Sequence, residues 1–317
     1  MAEVVQIVVT PRSGNGRGLS VAQRLQTALN CRGYHAEVRS FSDLDGLVQW
    51  TETCVPTFSF LVAVGGDSTI EAAAGAAIRL NTPLVPVPNG FGNLFARAFG
   101  HSKAPERVVE LFEGGEVHRV DVGARNHRQM FLTYQSYGML EEIEPAVEGA
   151  GVRPRSRLLR YLAYCAAASR FLLTAPLPVV RVEVEGSLLC QNAAVVAVAN
   201  VETYGGYLNL TPGASPLDGC FDVAVIPGTT RASVWLGLFT VLLGLPGRWD
   251  RTVRCRGRRV RVTVGTGAPD ELTVRHGVLP VLVAPGSMAR LWARHAGTNC
   301  PVYLPALAGA AEERDAA

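Results

Sequence analysis

The sequence contains no Cys-x-x-Cys pair and no apolar run long enough to cross a bilayer. Its seven cysteines are scattered along 317 residues, a pattern typical of reduced thiols in an intracellular protein. The longest apolar stretch, residues 232–245, is shorter than the roughly 20 residues that a transmembrane helix needs. The N-terminus lacks the basic start and apolar middle of a secretory signal. These absences predict a soluble, cytoplasmic protein.

Neither the charged residues nor the histidines form a pattern that would indicate a nucleic-acid-binding or a zinc-binding protein. Charged residues make up 18% of the chain and the formal net charge is +3, which is too small to indicate a nucleic-acid partner. The six histidines have no metal-ligand spacing, so we assign no zinc site. Hydrophobic residues make up 48%, which supports a sizeable core and argues against disorder.

The first 118 residues alternate between strand and helix patterns, and the run at residues 58–64 is continuously apolar, as in a strand buried on both faces. Repeated strand–helix units predict a Rossmann-like parallel sheet with right-handed crossovers. The predicted strands cover residues 4–9, 34–39, 58–64 and 83–87. The predicted helices cover residues 19–31 and 44–53, with a third ending at residue 80 and a fourth starting near residue 93.

The second half of the chain is mainly β in pattern. Residues 180–185 and 259–264 alternate apolar and charged side chains, which is typical of half-buried strands. Gly186-Ser187 offers a two-residue hairpin turn. Helix-like segments cover residues 156–173 and 230–245, so we predict a β-sandwich-like domain with helical insertions over residues 119–307. The prediction includes the alternative that the last strands or helix of this region pack with the first domain. Residues 308–317 are expected to be a disordered tail.

The Gly65-Gly66-Asp67 turn between a predicted strand and helix indicates a phosphate site. Glycines let the backbone approach an anion closely, and the first free N–H groups of the helix point at it. A carboxylate beside phosphate oxygens is repulsive unless a cation bridges them, so Asp67 implies Mg²⁺. An ordinary helix N-cap would explain Asp67 equally well.

Two further loops follow strands of the same predicted sheet, at the edge where parallel α/β sheets bind ligands. The first covers residues 13–18, with Arg12 and Arg17 able to neutralise phosphate. The second covers residues 88–93 and contains two glycines. Three such loops at one edge favour a nucleotide site.

These motifs resemble the diacylglycerol kinase catalytic-domain family of soluble lipid kinases, which includes sphingosine and ceramide kinases. The family's Gly-Gly-Asp-Gly-Thr turn is similar to residues 65–69, its Pro-x-Gly-Thr-x-Asn-Asp-x-Ala-Arg loop to residues 88–97, and its Asn-Pro-x-Ser-Gly loop to residues 10–14. Its Pro-x-Ala-x-x-x-Asp-Gly-x-Leu-Asp-Val segment resembles residues 212–223, the most discriminating match. NAD kinases and phosphofructokinases share the Gly-Gly-Asp turn on a related first domain, but residues 212–223 and the Ala96-Arg97 ending favour the lipid-kinase branch over both.

The resemblance implies an ATP-binding domain, a lipid-binding β-sandwich domain and an active site in the cleft between them. It implies ATP and Mg²⁺ as cofactors, a lipid hydroxyl as acceptor, a catalytic and metal role for Asp67, and a metal role for Asp218. The general base falls in a C-terminal Asp-Gly-Glu motif, for which Asp270-Glu271 is the nearest candidate, and a homodimer is compatible with the family. The candidate nucleotide-binding residues are Thr10, Arg12, Ser13, Gly14, Arg17, Gly65, Gly66, Asp67, Ser68, Thr69, Asn89, Gly90 and Asn93.

Several positions depart from the family pattern. Ser68 replaces a glycine, which would add strain if its φ were positive, and the glycine between Asp270 and Glu271 is missing. Phe91, Leu94, Ala72 and Thr10 also differ from the expected residues. These departures leave two alternatives open: a kinase of a soluble small-molecule hydroxyl, and a non-catalytic nucleotide- or lipid-binding protein on the same fold.

A basic segment follows the apolar residues 232–245. Residues 248–261 contain seven arginines and one aspartate, and a basic band beside apolar residues could dock peripherally on an anionic membrane at its inner face. A buried helix followed by a strand with arginines on its solvated face is the competing interpretation, and we weigh it slightly higher.

Overall fold

The structure is a computed structural model that describes residues 3–10, 16–141, 143, 166–167, 169–171, 174–202, 209–228, 230–242, 252–289 and 291. Four parallel strands and five helices form its first part. The strands are β1 (Val4–Val9), β2 (His35–Ser40), β3 (Phe60–Gly65) and β4 (Leu84–Pro88). The helices are α1 (Gly18–Asn30), α2 (Leu44–Thr53), α3 (Asp67–Leu80), α4 (Leu94–Ala98) and α5 (Pro105–Gly114).

The parallel sheet is covered by helices on both faces, with strand order β2-β1-β3-β4. Val5, Ile7 and Val9 of β1 pack in the cluster formed with α1 and α5, whereas Val8 packs in the cluster formed with α2 and α3. Side chains alternate between the two faces of a strand, so both faces need apolar residues. This explains the continuous apolar runs that predicted the parallel sheet.

The remaining described strands are β5 (Glu116–Arg125), β6 (Gln129–Phe131), β7 (Tyr134–Gly138), β8 (Val180–Val184), β9 (Ser187–Ala199), β10 (Phe221–Pro227), β11 (Val253–Gly257), β12 (Arg259–Val264) and β13 (Asp270–Val283), and the helix α6 (Arg231–Leu242) lies among them. Six of these strands extend the sheet in the order β11-β10-β9-β8-β12-β13-β4, whereas β5 pairs with β13 and β6, and β7 pairs with β9. Inward-facing valines of β8, β9, β10 and β12 share one core cluster. The other face of β9 and β10 packs against α6.

Strand β13 joins the two parts of the molecule. It pairs antiparallel with β12 and β5, and its Val281 pairs with Leu84 of β4 in parallel. The domain boundary drawn after residue 118 falls within β5. The region where β5 and β13 run together therefore lies beside the first domain's sheet.

One detail of the second half differs from the sequence prediction. The turn between β8 and β9 is formed by Glu185 and Gly186, with φ of 51° and 81°, and not by Gly186-Ser187. Asp270 and Glu271 belong to β13, where they pair with Val262 and Arg261 of β12. Most of the predicted helix at residues 156–173 and the predicted tail at 308–317 lie outside the described residues. Within the described ranges, no helix combines the length and the apolar character needed to cross a membrane.

Candidate active site

The loops that follow β1, β3 and β4 meet at the carboxyl edge of the parallel sheet. The hydroxyl oxygens of Thr10, after β1, and Thr69, in the first turn of α3, are 3.1 Å apart. The backbone N–H of Asn89, after β4, donates to the carbonyl oxygen of Gly65 at 2.8 Å. Three segments distant in sequence are thus joined by direct hydrogen bonds. The predicted phosphate contacts Arg12, Ser13 and Gly14 lie outside the described residues.

Glycines allow two of these loops to touch through their backbones. A Cβ atom built on Gly90 would lie 2.4 Å from the Cα of Gly66, a distance that real Cβ contacts do not reach. A Cβ on Gly65 would lie 2.4 Å from the Cβ of Thr69. Ser68, by contrast, lies in helix α3 and is not among the residues with positive φ, so the serine in place of the family's glycine adds no backbone strain.

Asn93 braces the loop after β4. It has a left-handed backbone with φ of 51°, a conformation that asparagine tolerates better than most residues. Its Oδ1 accepts the N–H of Gly90 at 2.7 Å, and its Nδ2 donates to the Gly90 carbonyl at 2.9 Å. Because both polar atoms of the side chain are used here, Asn93 shapes the turn.

A cleft of about 850 Å³ opens over these loops. Three basic side chains line it, Arg17, Arg97 and Lys103, and Lys103 is the only lysine of the chain. Lys103 was not among the site residues predicted from the sequence, although the sequence shows that it is the single lysine. The predicted nucleotide-binding residues that line the cleft are Thr10, Arg17, Gly66, Ser68, Thr69, Asn89, Gly90 and Asn93.

The carboxylate of Asp67 connects α3 to α4. Gly66, not Asp67, is the N-cap of α3, and Oδ1 of Asp67 accepts the backbone N–H of Phe95 at 3.0 Å. The N-cap alternative for Asp67 is therefore wrong. Burial raises the pKa of Asp67, and the N–H groups at the start of α4 offset this only in part.

Glu71 is a second carboxylate on the same side of α3, one helical turn after Asp67, since residues four apart are neighbours on a helix. Its Oε2 accepts the backbone N–H of Leu132 at 3.1 Å. Burial raises the pKa of Glu71 to about 7, and the charge of Asp67 acts in the same direction. The spacing of the two acids was the signal that could have identified Glu71 from the sequence.

Replacing Glu71 should change how thermal stability depends on pH. The pKa of Glu71 is about 7 in the folded protein, against an ordinary value of 4.5, so the folded state binds the proton more tightly than the unfolded state. The resulting stabilisation of the folded state is complete below about pH 4.5 and is lost as the pH rises to 7. At pH 8 without divalent cations, the free energy of unfolding of Glu71→Gln should therefore exceed that of wild type by on the order of 1–2 kcal/mol, and its Tm should be higher. At pH 5 the two proteins should differ little. Exposed Glu52→Gln is the matched control. Parallel pH profiles of Tm for Glu71→Gln and wild type would contradict this expectation.

The Asp218-Gly219 turn contacts β5 at Asp121. The Gly219 N–H donates to Oδ2 of Asp121 at 2.7 Å, and Oδ1 of Asp218 accepts the N–H of Cys220 at 3.0 Å. Asp121 is fully buried and was not among the site residues predicted from the sequence.

Asp270 and Glu271 lie on β13, and neither lines the cleft. Asp270 forms an ion pair with Arg125 and accepts from Nδ2 of Asn126 at 2.7 Å. Partial burial favours a higher pKa for Asp270, but the bonds from Arg125 and Asn126 outweigh it and lower this pKa. Arg261 donates to Glu271 at 2.6 Å and lowers its pKa. Both carboxylates are thus engaged by neighbouring cations, and the assignment of the base to this pair stays a prediction.

The arginines of β11 and β12 are largely engaged within the protein. Arg254 donates to the carbonyl of Leu210 at 2.9 Å. Arg256 pairs with Asp222 at 3.1 Å, and its side chain is only 11% exposed. These contacts favour the strand interpretation of the basic segment over membrane docking for these two residues. Residues 248–251 lie outside the described ranges.

Two domain profiles match the chain. Residues 4–125 match the diacylglycerol kinase catalytic domain, and residues 146–283 match the YegS C-terminal NAD kinase beta sandwich-like domain. The two matches confirm the predicted resemblance to the diacylglycerol kinase catalytic-domain family. They also confirm the predicted fold class, an α/β domain followed by a β-sandwich-like domain, and they support the class of lipid kinases.

Curated proteins and a solved structure are similar to most of the chain. A diacylglycerol kinase of Bacillus subtilis (strain 168) is 27% identical over 251 residues, which is 77% of this chain and 78% of the relative. A diacylglycerol kinase of Mycobacterium tuberculosis (strain CDC 1551 / Oshkosh) is 25% identical over 269 residues, covering 81% and 84%. A crystal structure of a diacylglycerol kinase from Bacillus anthracis str. Sterne superposes with a TM-score of 0.67 at 18% identity, covering 90% of this chain and 97% of the other. At that identity the structural likeness concerns the fold.

Proposed function

We propose that this protein is an ATP- and Mg²⁺-dependent kinase that transfers the γ-phosphoryl group to a lipid hydroxyl, with diacylglycerol as the default acceptor. The observation that carries the proposal is the cleft. Residues that follow β1, β3 and β4 line it together with three basic side chains. Asp67 stands between the lining residues Gly66 and Ser68, and Glu71 follows one turn later in α3. Phosphoryl transfer needs mainly positioning and charge neutralisation, and this arrangement can supply both.

Gly66 and Gly90 let the two loops approach each other through their backbones, and both glycines line the cleft, where their backbone could approach phosphate oxygens. The hydroxyl groups of Ser68 and Thr69 stand at the start of α3, where free N–H groups favour an anion. Arg17, Arg97 and Lys103 can neutralise the charge of a triphosphate. These roles are proposals for residues that share one cleft.

The acidic pair fits Mg²⁺. Oxygen ligands suit this ion, which keeps several waters and binds through one or two carboxylates together with phosphate oxygens. Two half-buried carboxylates with raised pKa values would be relieved of repulsion by a divalent cation. Asp67 and Glu71 would hold the ion, Asp218 would contact it through water, and the ion would neutralise charge that develops on the phosphates.

A transfer assay tests the proposed activity. The protein is incubated with γ-labelled ATP, Mg²⁺ and mixed micelles that hold diacylglycerol, ceramide, sphingosine or phosphatidylglycerol. A labelled phospholipid that depends on wild-type protein would support lipid phosphorylation and name the acceptor class. ATP binding without labelled lipid would reject these acceptors and favour a soluble small-molecule hydroxyl or a binding protein.

Lys103 allows the nucleotide site to be tested without knowledge of the acceptor. As the only lysine, it is the single side-chain amine that an N-hydroxysuccinimide ester can acylate. We expect Mg·ATP to slow acylation of Lys103 about tenfold or more, because bound phosphates occupy the cleft that it lines, whereas the N-terminal amine is an internal control of unchanged rate. Mass spectrometry of the modified peptides measures both rates. Equal acylation of Lys103 with and without ATP would contradict a nucleotide in this cleft.

A further inference from the structure

Strand β13 contains a bulge opposite Asp121. The register with β5 pairs Arg275 with Val122 and Leu279 with Val120, so residues 276–278 stand opposite the single residue Asp121. Gly277 has φ of 60°, which a glycine adopts without strain. Bulges of this kind are frequent next to active sites, where they redirect a side chain. The side chain redirected here is His276.

The carboxylate of Asp121 is hydrogen-bonded to the imidazole ring of His276. Oδ1 of Asp121 accepts from Nδ1 of His276 at 2.7 Å and from the N–H of Gly277 at 2.8 Å. Oδ2 accepts from Gly219 at 2.7 Å. The Asp121 side chain is 0% exposed whereas that of His276 is 67% exposed. A buried carboxylate that accepts from Nδ1 selects the tautomer in which Nε2 carries a lone pair and can accept a proton.

This pair, Asp121 and His276, is connected to the acidic pair of α3 by hydrogen bonds. Nδ2 of Asn200 donates to the carbonyl oxygens of both Asp121 and Leu132, each at 2.9 Å. The N–H of the same Leu132 donates to Glu71. The Asp218-Gly219 turn closes around the ring, since a Cβ on Gly219 would lie 3.2 Å from Nδ1 of His276. The histidine is therefore linked through Asp121, Asn200 and Leu132 to Glu71 of α3. Like Asp270 and Glu271, it is not among the residues that line the cleft beside the loops.

Asp270 and Glu271 are less well suited to accept a proton. They lie six and five residues before His276 on the same strand, which at roughly 3.3 Å per residue separates them from it by about 20 Å and about 17 Å. Asp270 is bound by Arg125 and Asn126, and Glu271 by Arg261. Nε2 of His276, in contrast, makes no hydrogen bond within the described part of the chain.

We propose that His276 is the general base of phosphoryl transfer and that Asp121 is the residue that positions it. This inference rests on the proposed kinase function. The O–H bond of the acceptor breaks and its proton passes to Nε2 of His276. The acceptor oxygen forms the new bond to the γ-phosphorus, the bond from the γ-phosphorus to the β–γ bridging oxygen breaks, and ADP leaves with that oxygen.

Two substitutions of His276 separate catalysis from folding. Asparagine can place an N–H near the Nδ1 position and so keep the bond to Asp121, but it has no group equivalent to Nε2. We expect His276→Asn to keep the Tm and the ATP protection of Lys103, and to lose about 100-fold or more in kcat, the scale of general-base catalysis. His276→Ala should lose as much, and added imidazole should restore part of the rate because the site is open to solvent. His35→Ala is the matched control, since His35 is also an exposed histidine beside a carboxylate, 3.2 Å from Glu37.

Labelled phospholipid and ATP hydrolysis are both measured for this panel, together with Asp270→Asn. A kcat of His276→Asn within threefold of wild type, or a larger loss in Asp270→Asn than in His276→Asn, would overturn the inference. A wild type that makes no labelled phospholipid would contradict the proposed lipid kinase instead. The His276 inference is then decided by ATP hydrolysis with water as the acceptor, where a loss in His276→Asn supports it and an unchanged rate overturns it.

Discussion

Asp67→Asn is expected to reduce phosphoryl transfer by about 100-fold or more, the scale found when one preorganised electrostatic group is removed. Asparagine keeps an oxygen that can accept the N–H of Phe95, which Asp67 now binds at 3.0 Å, so the link between α3 and α4 should remain. What is lost is the negative charge that would hold Mg²⁺. The rate is measured with γ-labelled ATP and the acceptor micelles over a range of Mg²⁺ concentrations.

Two comparisons make the Asp67 result specific. Asp45→Asn introduces the same chemical change at an exposed position of α2 and should leave the rate unchanged. Thermal unfolding of Asp67→Asn should stay close to wild type, because its hydrogen bond is kept. A rate within fivefold of wild type, with an unaltered Mg²⁺ requirement, would contradict the role assigned to Asp67.

Gly90→Ala is expected to disrupt the nucleotide site through the backbone. The new Cβ would lie 2.4 Å from Cα and 3.0 Å from N of Gly66, and backbone atoms cannot turn aside as a flexible side chain can. The two loops must separate, which we expect to cost about 1–3 kcal/mol of stability, as overpacking does, and to abolish ATP protection of Lys103. Thermal unfolding and the acylation assay measure the two effects.

Gly75→Ala is the matched control for Gly90→Ala. Gly75 lies within α3, and a Cβ there would meet only the Oγ1 of Thr51 at 3.9 Å. Alanine is favoured over glycine in a helix by up to about 1 kcal/mol, so this variant should be as stable as wild type or more so. Equal Tm values and equal ATP protection for Gly90→Ala and Gly75→Ala would refute the close approach of the two loops.

The first domain was predictable because its strands are buried on both faces and its helices have one apolar face. Strand β1 and helix α2 have the predicted bounds, and β3 begins two residues after the predicted start. Helix α5 was not predicted, although Pro105 stands at its first turn. The turn before β9 was predicted one residue too late. Gly186 indicates one of the two turn residues with positive φ, but it does not indicate whether the other is the residue before it or the residue after it.

The candidate site was predictable where its residues are close in sequence. The loops at residues 65–69 and 88–93 were recognised from their glycines, and the structure brings them together at Gly66 and Gly90. The contact of Glu71 with Leu132 joins residues 61 positions apart, and that of Asp121 with His276 joins residues 155 positions apart. Contacts between residues so far apart in sequence leave no local pattern from which they could be predicted.

By itself the sequence determined the family, the parallel first sheet and the phosphate-type loops, because periodicity and short motifs are set by neighbouring residues. Only the tertiary structure decided that Gly66 caps α3 while Asp67 reaches α4. It also decided that Asp270 and Glu271 are held by arginines while His276 is held by a buried aspartate. The physical reason is that burial and hydrogen-bond partners depend on which distant strands are paired, and one bulge in β13 decides that His276 contacts Asp121.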